Sequence, residues 1–234
     1  MTNIRIMPET GYTPDPEAAW LVDACGQTRE LNETPRQDPG WFHPSDLTCD
    51  DHELLARYMG TSVYRFEPAQ KLRVYDNGTF MHRRWDAYLA AAEVMPEHVR
   101  RFELPYVRMR GECDGIVAHP ETGRRYILEL KSINPFGFGK LATPQDGHVE
   151  QVHCYMAGLG VLDTIVLYEN KGDQAVRAFH VPFDLEVWTA IERRLIGLIR
   201  RAGETRRWED DKPPELVEAA LALKNELEGA PAGV

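Results

Sequence analysis

Apolar residues recur along this chain with two periods, and the switches between them mark out its elements. Behind Asp184, a residue suited to cap a helix, Trp188, Ile191, Leu195, Leu198 and Ile199 follow the three- and four-residue spacing of one helical stripe. Met81, Trp85, Tyr88, Leu89 and Ala92 repeat that spacing and predict a helix from Asp76 or Asn77 to about Val94. A shorter helix is expected from Pro44-Ser45-Asp46 to about Met59. Ser45 would be its cap, Leu47, Leu54, Leu55 and Tyr58 its inward residues, and Gly60 its stop. Another is expected from Thr143-Pro144 to about Gly158, with Pro144 fitting the first helical position and Val149, Val152, Met156 and Leu159 facing inward.

The strand-like runs come in two pairs. Tyr106–Ala118 and Arg125–Ile133 flank the turn-forming stretch His119-Pro120-Glu121-Thr122-Gly123-Arg124. Asp163–Tyr168 and Ala175–Val181 flank Asn170-Lys171-Gly172-Asp173. The glycines and prolines of 134–140 predict a loop without regular structure. Residues 1–40 lack a sustained period and read as an irregular arm with one short helix near Pro16–Ala24. A charged break at Asp210–Pro214 precedes a last helix, Glu215–Glu228, and a Gly/Ala/Pro tail. The expected order is helix, helix, strand, strand, helix, strand, strand, helix, helix. It describes an α/β domain over 41–209, between an arm (1–40) and a C-terminal helix with a flexible tail (210–234).

A hairpin closing at Glu121-Thr122 sets Asp114 opposite Glu129. Like charges facing each other across a sheet are destabilising, and a divalent cation would compensate them. Glu129 has apolar neighbours, Ile127, Leu128 and Leu130, on both strand faces, so it is expected in a buried strand where a charge needs partners. Lys131, two residues on, shares its face. Gly111 and Gly115 around Asp114 leave room for a ligand to approach the strand. Gln151 and Tyr155, four apart, share a helix face with His148 a turn earlier, a polar trio placed to border the core and hold a phosphate.

Composition narrows the partners. The 234 residues carry a net charge of −10, which excludes coating nucleic acid by bulk charge but not a local basic site. Arg108 and Arg110 beside the Asp114 strand, Phe136, Phe138 and Lys140 in the Gly/Pro loop, and Lys171 in the later turn are the candidates for such a site on nucleic acid; exposed aromatics stack on bases. Arg193, Arg194, Arg200 and Arg201 read as the wet side of their helix. Cys25, Cys49, Cys113 and Cys154 are too scattered for a disulfide framework or a zinc ribbon. Without a long apolar run or a basic leader, the chain is expected to be cytoplasmic, with no membrane partner.

These motifs resemble, in order, those of a PD-(D/E)XK nuclease of the RecB-like branch. Asp114 matches the acidic position and Glu129-Leu130-Lys131 the E-x-K. His82 in Gly78-Thr79-Phe80-Met81-His82 matches the metal-ligand histidine, and Gln151 with Tyr155 the Q-x-x-x-Y motif. The segment 42–49 resembles one in RecB-like and CRISPR-adaptation nucleases, where its cysteine ligates an iron–sulfur cluster. No cysteine follows Cys154, so no cluster is expected. The resemblance implies a restriction-endonuclease-like core, a mixed sheet of four to five strands flanked by helices. It implies one or two Mg²⁺ or Mn²⁺ ions held by His82, Asp114, Glu129 and the Leu130 carbonyl, with Asp114, Glu129, Lys131, Gln151 and Tyr155 catalytic. It also implies phosphodiester hydrolysis of DNA, as an exonuclease in bacterial or phage recombination or end processing, with a recombination or single-strand-binding protein as partner. The alternatives are a structure-selective or restriction endonuclease and a non-catalytic DNA-binding module that keeps the fold.

Overall fold

A computed structural model describes residues 38–62 and 67–203, with Ala19, Leu21 and Ala24 from the N-terminal region. The expected helix near Pro16–Ala24, apart from those three residues, and the expected helix over 215–228 lie outside the described residues. The chain divides into two units, residues 1–36 with 64–79 and residues 37–63 with 80–234. In the smaller, Lys71 pairs with Glu67 at 2.6 Å one helical turn apart.

The larger unit is organised by a five-stranded sheet in the order β1-β2-β3-β4-β5: Glu97–Leu104, Met109–Ala118, Arg125–Ile133, Asp163–Asn170 and Val176–Pro182. Every neighbouring pair is antiparallel except β3 and β4. That parallel pair needs a crossover, and two helices supply it, α3 (Pro135–Gly139) and α4 (Asp146–Leu159). Three further helices are named: α1 (Asp51–Met59), α2 (Ala69–Ala91, in the larger unit from Phe80 on) and α5 (Leu185–Arg201).

The sheet is apolar on both faces. One carries Ile127 and Ile133 of β3 and Val166 and Tyr168 of β4 against Val152 and Met156 of α4 and Trp188, Leu195 and Ile199 of α5. The other sets Leu128 and Leu130, with Ile165 and Leu167 packed around them, under Met81, Trp85 and Leu89 of α2. All five residues of the α5 stripe are buried, and Asp184 caps that helix, accepting from the amides of Glu186 and Val187. Arg194, expected on the wet side, instead clamps the start of α1, donating to the Leu47 and Cys49 carbonyls at 2.7 and 2.6 Å and to Asp51.

Several boundaries depart from expectation for local reasons. The 44–59 segment breaks after a single 3₁₀ turn, Pro44–Asp46; α1 starts at Asp51, capped by Asp50 through the Glu53 amide, so Ser45 is not its cap. Gly60 ends it at φ 69°, a conformation that suits glycine. The helix α2 begins two turns early, and Tyr88 is exposed rather than inward. The 134–140 stretch is not irregular. Asn134 accepts from the Gly137 amide and Pro135 occupies the first turn, so the residues read as breakers start a short helix. The strand β1 was not expected at all. The run expected from Tyr106 opens with a 3₁₀ turn, Pro105–Val107, and β2 starts at Met109 after Arg108 at φ 51°.

Gly158 shows how tightly α4 sits on the sheet. A Cβ there would lie 2.1 Å from Cδ2 of the buried Phe102 ring on β1. In a free helix Gly→Ala is stabilising, but here Gly158→Ala is expected to cost about 1–3 kcal/mol by overpacking. Urea denaturation would show it as a lower midpoint with an unchanged slope, and an unchanged midpoint would contradict this packing.

Candidate functional site

The hairpin pairs in the expected register, from Ala118↔Arg125 to Gly115↔Leu128, and there the ladder stops. Beyond it β2 continues beside β1 alone, as far as Leu104↔Met109. Asp114 and Glu129 are the next residues after the last rung, so they flank the fork where β2 and β3 part. Asp114 bridges that fork with its side chain. Its Oδ2 accepts from the Leu130 amide at 2.7 Å, in place of a backbone partner. The open edge of β2 is taken by Phe42, which bonds to both sides of Met109 through the Arg108 carbonyl and the Arg110 amide.

From α2, His82 places Nδ1 3.1 Å from Asp114 Oδ1. That hydrogen bond raises the imidazole pKa against the opposing effect of burial. On the α4 side Glu129 is 4% exposed. Its Oε1 accepts from Lys131 Nζ at 2.5 Å and from Gln151 Nε2 at 3.0 Å. Gln151 closes the set, its Oε1 accepting from Lys131 at 2.9 Å and its Nε2 donating to Tyr155 Oη at 2.5 Å. Burial, and then the Asp114 charge, push the Glu129 carboxyl up to about 7, while Lys131 and His82 pull it the other way. Burial also raises the Tyr155 phenol, which stays protonated.

His82, Asp114, Glu129, Leu130, Lys131, Gln151 and Tyr155 are thus brought together from two strands and two helices. Among the described residues no three histidine, cysteine, aspartate or glutamate side chains close into a ready metal cage. The donors nonetheless fit a hard divalent cation in kind: two carboxylates and an imidazole, with one carboxyl held above its ordinary range by burial and then by its neighbour's charge. His82 would have to exchange its bond to Asp114 for such an ion.

The expected DNA contacts divide. Phe136 is 73% exposed, with Lys140 Nζ 4.0 Å from its ring centre. Phe138 is 8% exposed, capped by the Arg177 guanidinium 4.6 Å away, and serves the core rather than a base stack. Arg110 is engaged by Asp38 and lies 4.8 Å over the Trp41 ring, which ties its guanidinium to the segment before α1. Arg108 is half-buried at the left-handed residue before β2. Lys171 is exposed, and its amide donates to the Ile133 carbonyl, which holds its turn beside the start of α3.

Two arrangements escaped the sequence reading. Glu169, buried on β4, accepts from Arg84 and, at 2.8 Å, from Trp85 Nε1, and so ties α2 to the sheet just beyond His82. An acid closing the apolar run of β4 was the available signal, weaker than that at Glu129, which has leucines on both sides. The second joins His148 to Tyr168 Oη at 2.7 Å, across 20 residues, and no local pattern announces it.

No protein-family model matches the chain, and no curated protein matches it in sequence. Solved structures do. An alkaline exonuclease from Laribacter hongkongensis, LHK-Exo, superposes with a TM-score of 0.50 at 16% identity, over 81% of this chain and 94% of that one. Its complex with dAMP gives 0.51 at 15% identity, with the same coverage. The two exonuclease structures and this chain share one fold, here a five-stranded mixed sheet flanked by helices. Likeness at this identity establishes the fold, within which Asp114, Glu129 and Lys131 occupy the fork of β2 and β3. Among the described residues, no helix is long and apolar enough to cross a membrane.

Proposed function

We propose that this chain is a divalent-metal-dependent deoxyribonuclease that hydrolyses phosphodiester bonds, acting as an exonuclease. The observation that carries the reading is the junction of β2 and β3. Two carboxylates flank it, and a lysine on the face of the buried carboxylate is aimed by a glutamine. The resemblance to the RecB-like branch and the likeness to an exonuclease fold support it. Asp114, Glu129, His82 and the Leu130 carbonyl would hold Mg²⁺ or Mn²⁺, which supplies Lewis acidity at the phosphate.

The chain's own groups supply the rest. As water attacks phosphorus and the P–O bond to the leaving nucleotide breaks, negative charge builds on the non-bridging and leaving oxygens. The Lys131 ammonium is placed to stabilise it and to position the water. Gln151 fixes the ammonium, and Tyr155 fixes Gln151, so the charge stabilisation is organised before substrate arrives. The Leu130 amide fixes one oxygen of the Asp114 carboxylate, and His82 pairs with the other until it turns to the ion.

The test is incubation with linear and closed circular DNA, single- and double-stranded, with Mg²⁺, with Mn²⁺ or with EDTA. Metal-dependent loss of linear DNA with circles intact is the expected result. Nicked circles would replace the exonuclease with an endonuclease, and binding without cleavage under any metal would leave a DNA-binding module.

A further inference from the structure

His148 lies one helical turn before Gln151, close enough to Lys131 for the ammonium to disfavour a second positive charge. The only hydrogen bond of its ring among the described residues joins Nδ1 and Tyr168 Oη, 2.7 Å apart. Tyr168 is fully buried, and its hydroxyl also accepts from the Gln145 amide at 3.1 Å. A buried hydroxyl proton needs an acceptor, and the Gln145 amide, a donor, cannot serve. The proton must therefore point at His148 Nδ1, which makes Nδ1 the bare nitrogen of a neutral ring and leaves the proton on Nε2. Burial supports the neutral form by pushing the imidazole down to about 4. The Gln145 amide, the Tyr168 hydroxyl and the His148 ring thus form a relay with one direction, ending in an Nε2–H that has no hydrogen-bond partner among the described residues.

We infer that His148 is a substrate-binding residue whose Tyr168-locked Nε2–H donates to a phosphate oxygen of the DNA strand lying over Lys131. The inference rests on the nuclease reading and adds to it a neutral donor beside the ammonium. A neutral imidazole offers the phosphate a directional hydrogen bond without adding a second cation next to Lys131. Tyr168 is the positioning residue, since it acts on substrate only through His148.

The substitutions separate the two ends of the ring. His148→Asn keeps an acceptor near the Nδ1 position for Tyr168 but removes the outer donor, whereas His148→Gln restores a donor near the Nε2 position. On linear DNA with Mg²⁺, His148→Asn is expected to raise KM about ten-fold or more, as for loss of a hydrogen bond to a charged group, and His148→Gln to recover most of it. Nitrogen-15 spectra of the free protein at pH 7, with the His148 signals assigned by their absence in His148→Gln, should show protonated Nε2 and bare Nδ1. Tyr168→Phe should lose that single tautomer. A KM for His148→Asn equal to that of the parent, or a ring protonated on Nδ1 in the parent, would overturn the inference. A parent inert on every DNA would overturn the nuclease reading, and the phosphate contact with it, while the spectra would still report the tautomer.

Discussion

Glu129→Gln is expected to lower metal-dependent DNA cleavage by about three orders of magnitude or more while leaving the fold intact. The glutamine keeps the shape of the side chain and an oxygen for Lys131 and Gln151, which now meet at Glu129 Oε1. What it removes is the charge that a cation needs. The same substitution should leave a second mark on stability. In the fold the Glu129 carboxyl is raised to about 7, against an ordinary value of 4.5. Between those values the native protein holds a proton that the unfolded chain has released, so this group makes stability fall as pH rises through the window. His82, also raised, acts in the same direction and remains in the variant. Melts in EDTA should therefore show little difference between the two proteins at pH 5. At pH 8 Glu129→Gln should be the more stable by up to about 3 kcal/mol. Undiminished cleavage would sink the metal assignment, and parallel pH profiles would sink the account of the buried carboxyl.

The largest loss of stability is expected at Glu169. Its carboxylate is buried and satisfied by Arg84 and Trp85, both on α2 within a turn of His82. Glu169→Ala would strand the Trp85 indole N–H and leave the Arg84 charge at the helix–sheet seam. Because Arg84 is partly exposed, water recovers some of that cost. The expected destabilisation is about 2–4 kcal/mol, or roughly 5–15 °C in melting temperature for a chain of this size. Glu169→Gln, which can keep the bond from Trp85, should lose less. Calorimetry on the three proteins checks the order, and a Glu169→Ala melt within a degree of the parent would contradict it. Activity at low temperature should be largely kept, because the hydrogen bonds of Glu169 run to Arg84 and Trp85 and not to the His82–Asp114 pair.

What could be read in the sequence follows from how each element is buried. The α5 stripe and β3 were legible because their packing imposes one clean period or an unbroken apolar run. The strand β1 was not. It lies at the edge of the sheet, only Phe102 and Leu104 of its eight residues are buried, and its charged positions follow no alternation. The register at Asp114 and Glu129 was legible because a hairpin turn fixes it locally. That the strands fork there was not, since the segment that fills the gap, around Phe42, is distant in sequence. Gln151 and Tyr155 were found by their spacing on α4, whereas the Tyr168 bond to His148 and the Glu169 tie join elements that only the packed sheet brings together.

The Asp114 bridge to the Leu130 amide bears on how a decayed copy of this protein would be recognised. Where β2 and β3 separate, that amide has lost its strand partner, and a chain that had given up catalysis would still need an acceptor there. Retention of an aspartate at 114 thus reports the integrity of the sheet as much as enzymatic competence. Among the described residues the side chains of Glu129 and Lys131 make no comparable bond to the backbone, so under the proposed nuclease function their loss would be the earlier sign that cleavage had lapsed.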